Sequence, residues 1–159
     1  MSEKKVWKVA VIGCGAFANW HYLGGISKEA NAVLVATVDI IPDRAEQAAK
    51  KYGAKEWYTS VYELIDNCDF DIAIDSASIQ AHHEINMAVL NAGKHLISQK
   101  PAAPNVEMLT EQMELAKSII SAKKRGEIVP SSLNPNLEKD KFDKVNEFIS
   151  NTNTLNLLE

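Results

Sequence analysis

Residues 13–18 read Gly13-Cys14-Gly15-Ala16-Phe17-Ala18, a G-x-G-x-x-A run, and Asp39 stands 21 residues beyond Ala18. Together these residues can hold a diphosphate and a ribose. The first glycine permits a tight turn, and the second lets a pyrophosphate come against bare backbone. A small residue in the third place lets a helix pack close to a sheet. A helix start offers free N–H groups and a partial positive charge to phosphates. Gly13, Gly15, Ala16, Phe17 and Ala18 are therefore predicted cofactor contacts. An acid about 20 residues on accepts hydrogen bonds from ribose hydroxyls, which assigns Asp39. Its charge repels a 2′-phosphate and favours NAD, whereas Arg44 is placed to answer the 2′-phosphate of NADP. An S-adenosylmethionine site also uses a Gly-rich turn followed by an acid, and stays open at this point.

Two further segments draw interest by position. Ser76-Ala77-Ser78-Ile79 and Gln99-Lys100-Pro101 each follow an apolar β-branched run. Ligands of open parallel sheets bind beyond the carboxyl ends of the strands. Ala77, Ser78, Gln99 and Lys100 thus join the predicted cofactor site, and Lys100 is the candidate catalytic amine. Pro101 keeps Lys100 out of a helical conformation and projects it from the sheet end. His82 is a candidate for the wall of the same crevice, with exposure of the His82-His83 pair as the alternative. Neighbours on a helix point about 100° apart and make a poor shared metal site, so no metal is expected. Cys14 has no base nearby in sequence and reads as a small filler, and His21 as a structural or surface residue. Lys123-Lys124-Arg125 complements a helix C-terminus.

The elements that must position these residues follow from a hydrophobic period that keeps switching. Strands are predicted at 6–12, 32–38, 56–59, 71–76, 95–98 and 127–133, and helices at 16–26, 42–52, 80–92, 105–125 and 137–149. Another helix starts at Ser60, with Glu63 at capping-box spacing. The stripe Ile85, Ala88, Val89 and Ala92 faces one helix inward, and Leu109, Met113, Ala116 and Ile120 another. Strands separated by helices of ten or more residues pair in parallel, and strands apolar on both faces need helices on both sides. The fold class is a doubly wound α/β sheet.

The composition agrees. The chain has 159 residues, enough for one ordinary domain, and is 46% hydrophobic and 24% charged. A net charge of −4 argues against a nucleic-acid partner, and no window approaches the ~20 apolar residues of a membrane span. Two cysteines make no disulfide framework, and no secretory leader precedes the first strand, so a cytoplasmic location is expected.

With these residues in hand, the sequence resembles the N-terminal half of the glucose–fructose oxidoreductase / inositol 2-dehydrogenase family. The resemblance rests on VAVIGCGAFA, then VATVDIIPDRAEQAAKKYGA, then DIAIDSASIQAHHEINMAVLNAGKHLISQKPAA. The Ala-Gly-Lys-His run at 92–95 followed by Lys100-Pro101 is its most specific part, and His82 matches a family histidine. The resemblance implies a sugar or polyol substrate and a lysine, here Lys100, that contacts the cofactor ribose and reaches the substrate. It also implies a second, sheet-rich domain that supplies a histidine acid/base and an oligomer interface. Residues 1–150 would form the dinucleotide-binding domain and 151–159 an unassigned tail, with the substrate domain absent and turnover by the chain alone near background. A standalone nucleotide-binding module without redox turnover is the competing reading. Two departures stand out: Ala77-Ser78-Ile79 replaces a usual Thr-Pro-Asn, and Gln99 replaces a usual Glu, which alters how Lys100 could share a proton.

Overall fold

The computed structural model describes residues 5–124, with side chains as far as residue 121. The predicted strand at 127–133, the helix at 137–149 and the tail at 151–159 lie outside the described residues, as do the side chains of the cationic cluster at 123–125.

Among the described residues five strands form one sheet: β1 (Trp7–Ile12), β2 (Ala32–Val38), β3 (Glu56–Tyr58), β4 (Ile72–Asp75) and β5 (His95–Ser98). All pairings are parallel, in the order β3-β2-β1-β4-β5. The chain lays strands outward from β1 in one direction, then returns to place β4 and β5 on the other side. The carboxyl ends of β1 and β4 therefore flank a topological switch point, where a parallel sheet opens a crevice. The doubly wound class read from the sequence is the fold observed.

Period-two alternation sends β1 side chains to two cores. Ala10 and Ile12 meet Val61, Leu64, Phe70, Ile85 and Val89 on one face. Val9 and Val11 meet Ala18, Leu23, Ala48, Ile72 and Ile74 on the other. The β1–β2 register slips by one residue, from Val9↔Leu34 to Ala10↔Ala36. The extra residue, Val35, lets Leu34 serve one core while Ala36 and Val38 serve the other.

The first predicted helix is a composite. It runs as α1 (Ala16–Ala18), a π-helical stretch (Asn19–Leu23) and α2 (Gly24–Ile26). Four helices follow: α3 (Pro42–Tyr52), α4 (Val61–Asn67), α5 (Ile79–Asn91) and α6 (Val106–Lys124). Pro42 occupies the first turn of α3, and Gly53 ends it at φ 80°. Ser60 caps α4 by accepting from Glu63 N–H at 3.1 Å, while the Glu63 carboxylate reaches back to Thr59 N–H and Oγ–H, 2.9 Å each. The α5 stripe is buried as predicted. The α6 stripe is not the predicted one. Gln112 and Ile119 are the buried positions, with Leu115 beside them, and Leu109, Met113, Ala116 and Ile120 are half-buried. A polar residue anchors that face, so a count of apolar residues alone misplaces it. No helix among the described residues is long and apolar enough to cross a membrane.

Candidate functional site

The turn after β1 is held on every side. Gly13 has φ +86°, and a Cβ there would lie 2.6 Å from Ser76 C, Ser76 O and Ala77 N. Only glycine fits against the end of β4. Gly15 differs: its φ is −68°, and a Cβ would meet nothing within 4 Å. No internal packing demands a glycine there, so the bare backbone faces a space into which a ligand fits. Cys14 N–H donates to Asp39 Oδ2 at 2.9 Å, and Ile41 N–H to Asp39 Oδ1 at 2.9 Å. The Asn19 amide donates to Cys14 O and Gly15 O, 2.9 Å each, and Tyr52 OH donates to Asn19 Oδ1 at 2.9 Å. Residues 13–15 are thus fixed before any ligand arrives. Burial, reinforced by the Asp39 charge, pushes the Cys14 thiol up to about 12, so it is no nucleophile at neutral pH.

A cleft of about 340 Å³ opens beside this turn, over the ends of β1, β2 and β4. Of the predicted contacts, Gly13, Gly15, Asp39, Arg44, Ala77 and Ser78 line it. Asp39 is only 8% exposed, while Arg44 lies open to solvent. Ile12, Val38 and Ile85 supply apolar wall, and Tyr62 OH donates to Glu84 Oε1 at 3.3 Å on the far side. Ala18 is fully buried and serves the helix–sheet contact. Phe17 stacks on His21 at 4.3 Å between ring centroids, and the residue stays 42% exposed.

Gln99 and Lys100 stand outside that cleft, past the end of the neighbouring strand. Ser98 pairs with Asp75 in register, and Gln99 N–H donates to Asp75 O at 2.8 Å. Tyr22 OH donates to Gln99 Oε1 at 2.9 Å, tying the π-helical stretch to the end of β5. Lys100 is exposed, and its bond to Pro101 is cis. Along the sheet edge the order is Asp39, Gly13, Ser76, Gln99. Three strand spacings of about 4.8 Å separate the outer two, roughly 14 Å, a span suited to an extended dinucleotide.

His82 is neither an exposed residue nor a wall of the cleft. It is 1% exposed, and its Nδ1 lies 2.8 Å from Asp75 Oδ2 and 3.3 Å from Ser98 Oγ. Burial pushes the Asp75 carboxyl above its usual range, against the opposing pull of Ala77 N–H and His82. His83 is half-buried, with Nε2 3.1 Å from Glu111 Oε2. Asn19, Tyr52, Asp75 and Asn86 are site-supporting residues that sequence reading did not single out. Asn19 carried one signal, an amide one turn beyond Gly15.

A parallel sheet that reverses strand order beside a glycine turn, with an acid ending the adjacent strand, defines a nucleotide-binding Rossmann domain. The match of residues 7–120 to the model of the oxidoreductase family with an NAD-binding Rossmann fold places the chain in that family. The NAD reading of the glycine turn is thereby supported over the S-adenosylmethionine one. An inositol 2-dehydrogenase/D-chiro-inositol 3-dehydrogenase from Lactiplantibacillus plantarum is 28% identical over 120 residues, 75% of this chain and 34% of that protein. A 4-carboxy-2-hydroxymuconate-6-semialdehyde dehydrogenase from Sphingobium sp. is 39% identical over 99 residues, 60% of this chain and 30% of that protein. Among solved structures, scyllo-inositol dehydrogenase from Lactobacillus casei with bound NAD(H) and scyllo-inositol superposes with a TM-score of 0.68 at 24% identity, over 72% of this chain and 34% of that one. The chain spans about a third of the length of the curated relatives it matches.

Proposed function

We propose that this chain is the NAD(H)-binding half of a cytoplasmic dehydrogenase acting on the hydroxyl carbons of sugars or polyols. The observation that carries the reading is the pairing of Gly15, open to a ligand with no packing reason for being glycine, with Asp39, which holds the adjacent Cys14 N–H. The N–H groups of Gly15, Ala16 and Phe17 receive the pyrophosphate, since the first turn of a helix leaves its donors without internal partners. Asp39 takes the adenine ribose, its remaining lone pairs facing the cleft, and its charge disfavours a 2′-phosphate. Arg44 stays on the rim, where it offsets that preference only in part. Ala77 and Ser78 border the middle of the cofactor, and Gln99 and Lys100 its far end. Bound there, the nicotinamide supplies hydride acceptance and return. The Lys100 amine holds the substrate hydroxyl and its proton, with neutral Gln99 engaged by Tyr22. His82 supports this end from beneath, through Asp75 and Ser98, and touches no ligand. Both cysteines are free and buried, as suits a reducing compartment.

Catalysis needs a substrate wall besides an amine. A positioned acid/base contributes typically 10²–10⁴-fold, and fixed geometry several kcal/mol more. The described residues offer Lys100 and an open edge, and the proposed reading assigns the wall to a further domain or a second subunit. Absorbance at 340 nm, with inositols and aldoses as substrates, tests this. The expected result is turnover near background for the 159-residue chain despite NADH binding. Robust NAD reduction by the chain alone would overturn the half-site reading, and its loss in Lys100→Ala would still identify the amine.

A further inference from the structure

Beneath Lys100 lies a pair of buried side-chain amides for which the cofactor site itself has no use. Asn86, on α5, is fully buried, and Gln112, on α6, is 6% exposed. Asn86 Nδ2 lies 2.9 Å from Ser98 Oγ, 3.0 Å from Ala102 O and 3.2 Å from Gln112 Oε1. Gln112 Nε2 lies 3.2 Å from the same Ala102 O and 3.2 Å from His83 Nδ1. The segment 98–102 is therefore gripped at both ends, with Lys100 midway between Ser98 and Ala102. Elsewhere the α5–α6 contact consists of the His83–Glu111 pair at its half-buried rim and an apolar cluster of Leu90, Leu115 and Ile119. Apolar residues of similar shape would close it at little or no cost in stability, since burying amides gains little net free energy even when they are bonded. Amides add direction: two donors from two helices fix one carbonyl.

We propose that Asn86 and Gln112 are positioning residues that hold the 98–102 segment so that Lys100 meets the nicotinamide half of the cofactor. This rests on the reading of Lys100 given above. Neither side chain touches a ligand. Their effect is confined to the end of the site that the segment carries, and the adenosine end, built on Gly13, Gly15 and Asp39, is independent of them.

The test titrates the 159-residue chain with NADH, read by nicotinamide fluorescence, and with AMP, read by calorimetry. Asn86→Ala and Gln112→Met each remove one donor to Ala102 O, and Lys100→Ala is the comparison. Loss of one directional bond predicts about tenfold weaker NADH binding with AMP affinity kept within about twofold, and no further loss when Asn86→Ala is combined with Lys100→Ala. Amide hydrogen exchange across 98–105 should accelerate in both clamp variants and not in Lys100→Ala. If Asn86→Ala does not fold, Gln112→Met carries the same test. Equal losses for NADH and AMP, or unchanged NADH affinity and exchange in a folded variant, would overturn the proposal. Faster exchange in the clamp variants with unchanged NADH affinity in Lys100→Ala would instead refute the role given to the lysine.

Discussion

Asp39 does two things with one carboxylate, and the two can be separated. Both oxygens accept backbone N–H groups, from Cys14 and from Ile41, so the side chain builds the glycine turn besides taking the ribose contact proposed for it. Alanine removes both roles and should weaken NADH and NADPH together. Asparagine keeps one acceptor of the same shape and removes the charge. Hydrogen bonds to charged groups contribute about 1.5–3 kcal/mol, so Asp39→Asn should lower the NADH-to-NADPH affinity ratio at least about tenfold. Paired fluorescence titrations measure that ratio. A ratio that stays at the wild-type value would show that the carboxylate does not face the ribose. The fingerprint spacing made Asp39 visible in the sequence, because ribose recognition has a fixed distance from the glycine turn. Its grip on Cys14 N–H was not visible, because a contact across 25 positions depends on how β1 and β2 pair.

The elements divide in the same manner. Strands and most helices were legible because each carries its own period, from the β-branched run of β1 to the Ile85–Ala92 stripe of α5. The π-helical stretch at Asn19–Leu23 was not, since π and α turns share one apolar pattern over five residues. The buried face of α6 was misplaced because Gln112 is held inside by Asn86 and Ala102 O, partners that no local period encodes. His82 was hidden for a like reason, its partner Asp75 lying on a strand. At α4 the local signal was sufficient. Ser60 caps the helix, and Ser60→Ala should cost about 1 kcal/mol in urea unfolding. Hydrogen bonds from Thr59 hold the Glu63 carboxyl below its usual range. A depressed carboxyl stabilises the fold above its unfolded-state value of about 4.3 and loses that contribution as pH falls through the folded value. Glu63→Gln should therefore flatten the acid limb of stability against pH, and an unchanged acid limb would place the carboxylate elsewhere.

Across the described residues, one sheet edge gathers the proposed binding residues. Strand order puts Asp39, the glycine turn, Ser76 and Gln99-Lys100 side by side, although they span more than 80 residues of sequence. The sequence order of strands and helices implied that alignment through the rule for parallel sheets. What it could not supply was the depth of support beneath it, the Asp75–His82 and Asn86–Gln112 contacts under the edge. The proposed function requires a dinucleotide across this edge with its pyrophosphate on Gly15. The most direct measurement is NADH titration of the wild-type chain and Gly15→Val, with thermal melting of each. The valine side chain enters space that no protein atom within 4 Å of its Cβ occupies, at an ordinary φ. The melting temperature should stay unchanged and NADH binding should fall by about 100-fold or more, the loss of a charged contact together with its steric exclusion. Wild-type NADH affinity in the folded Gly15→Val chain would contradict that placement.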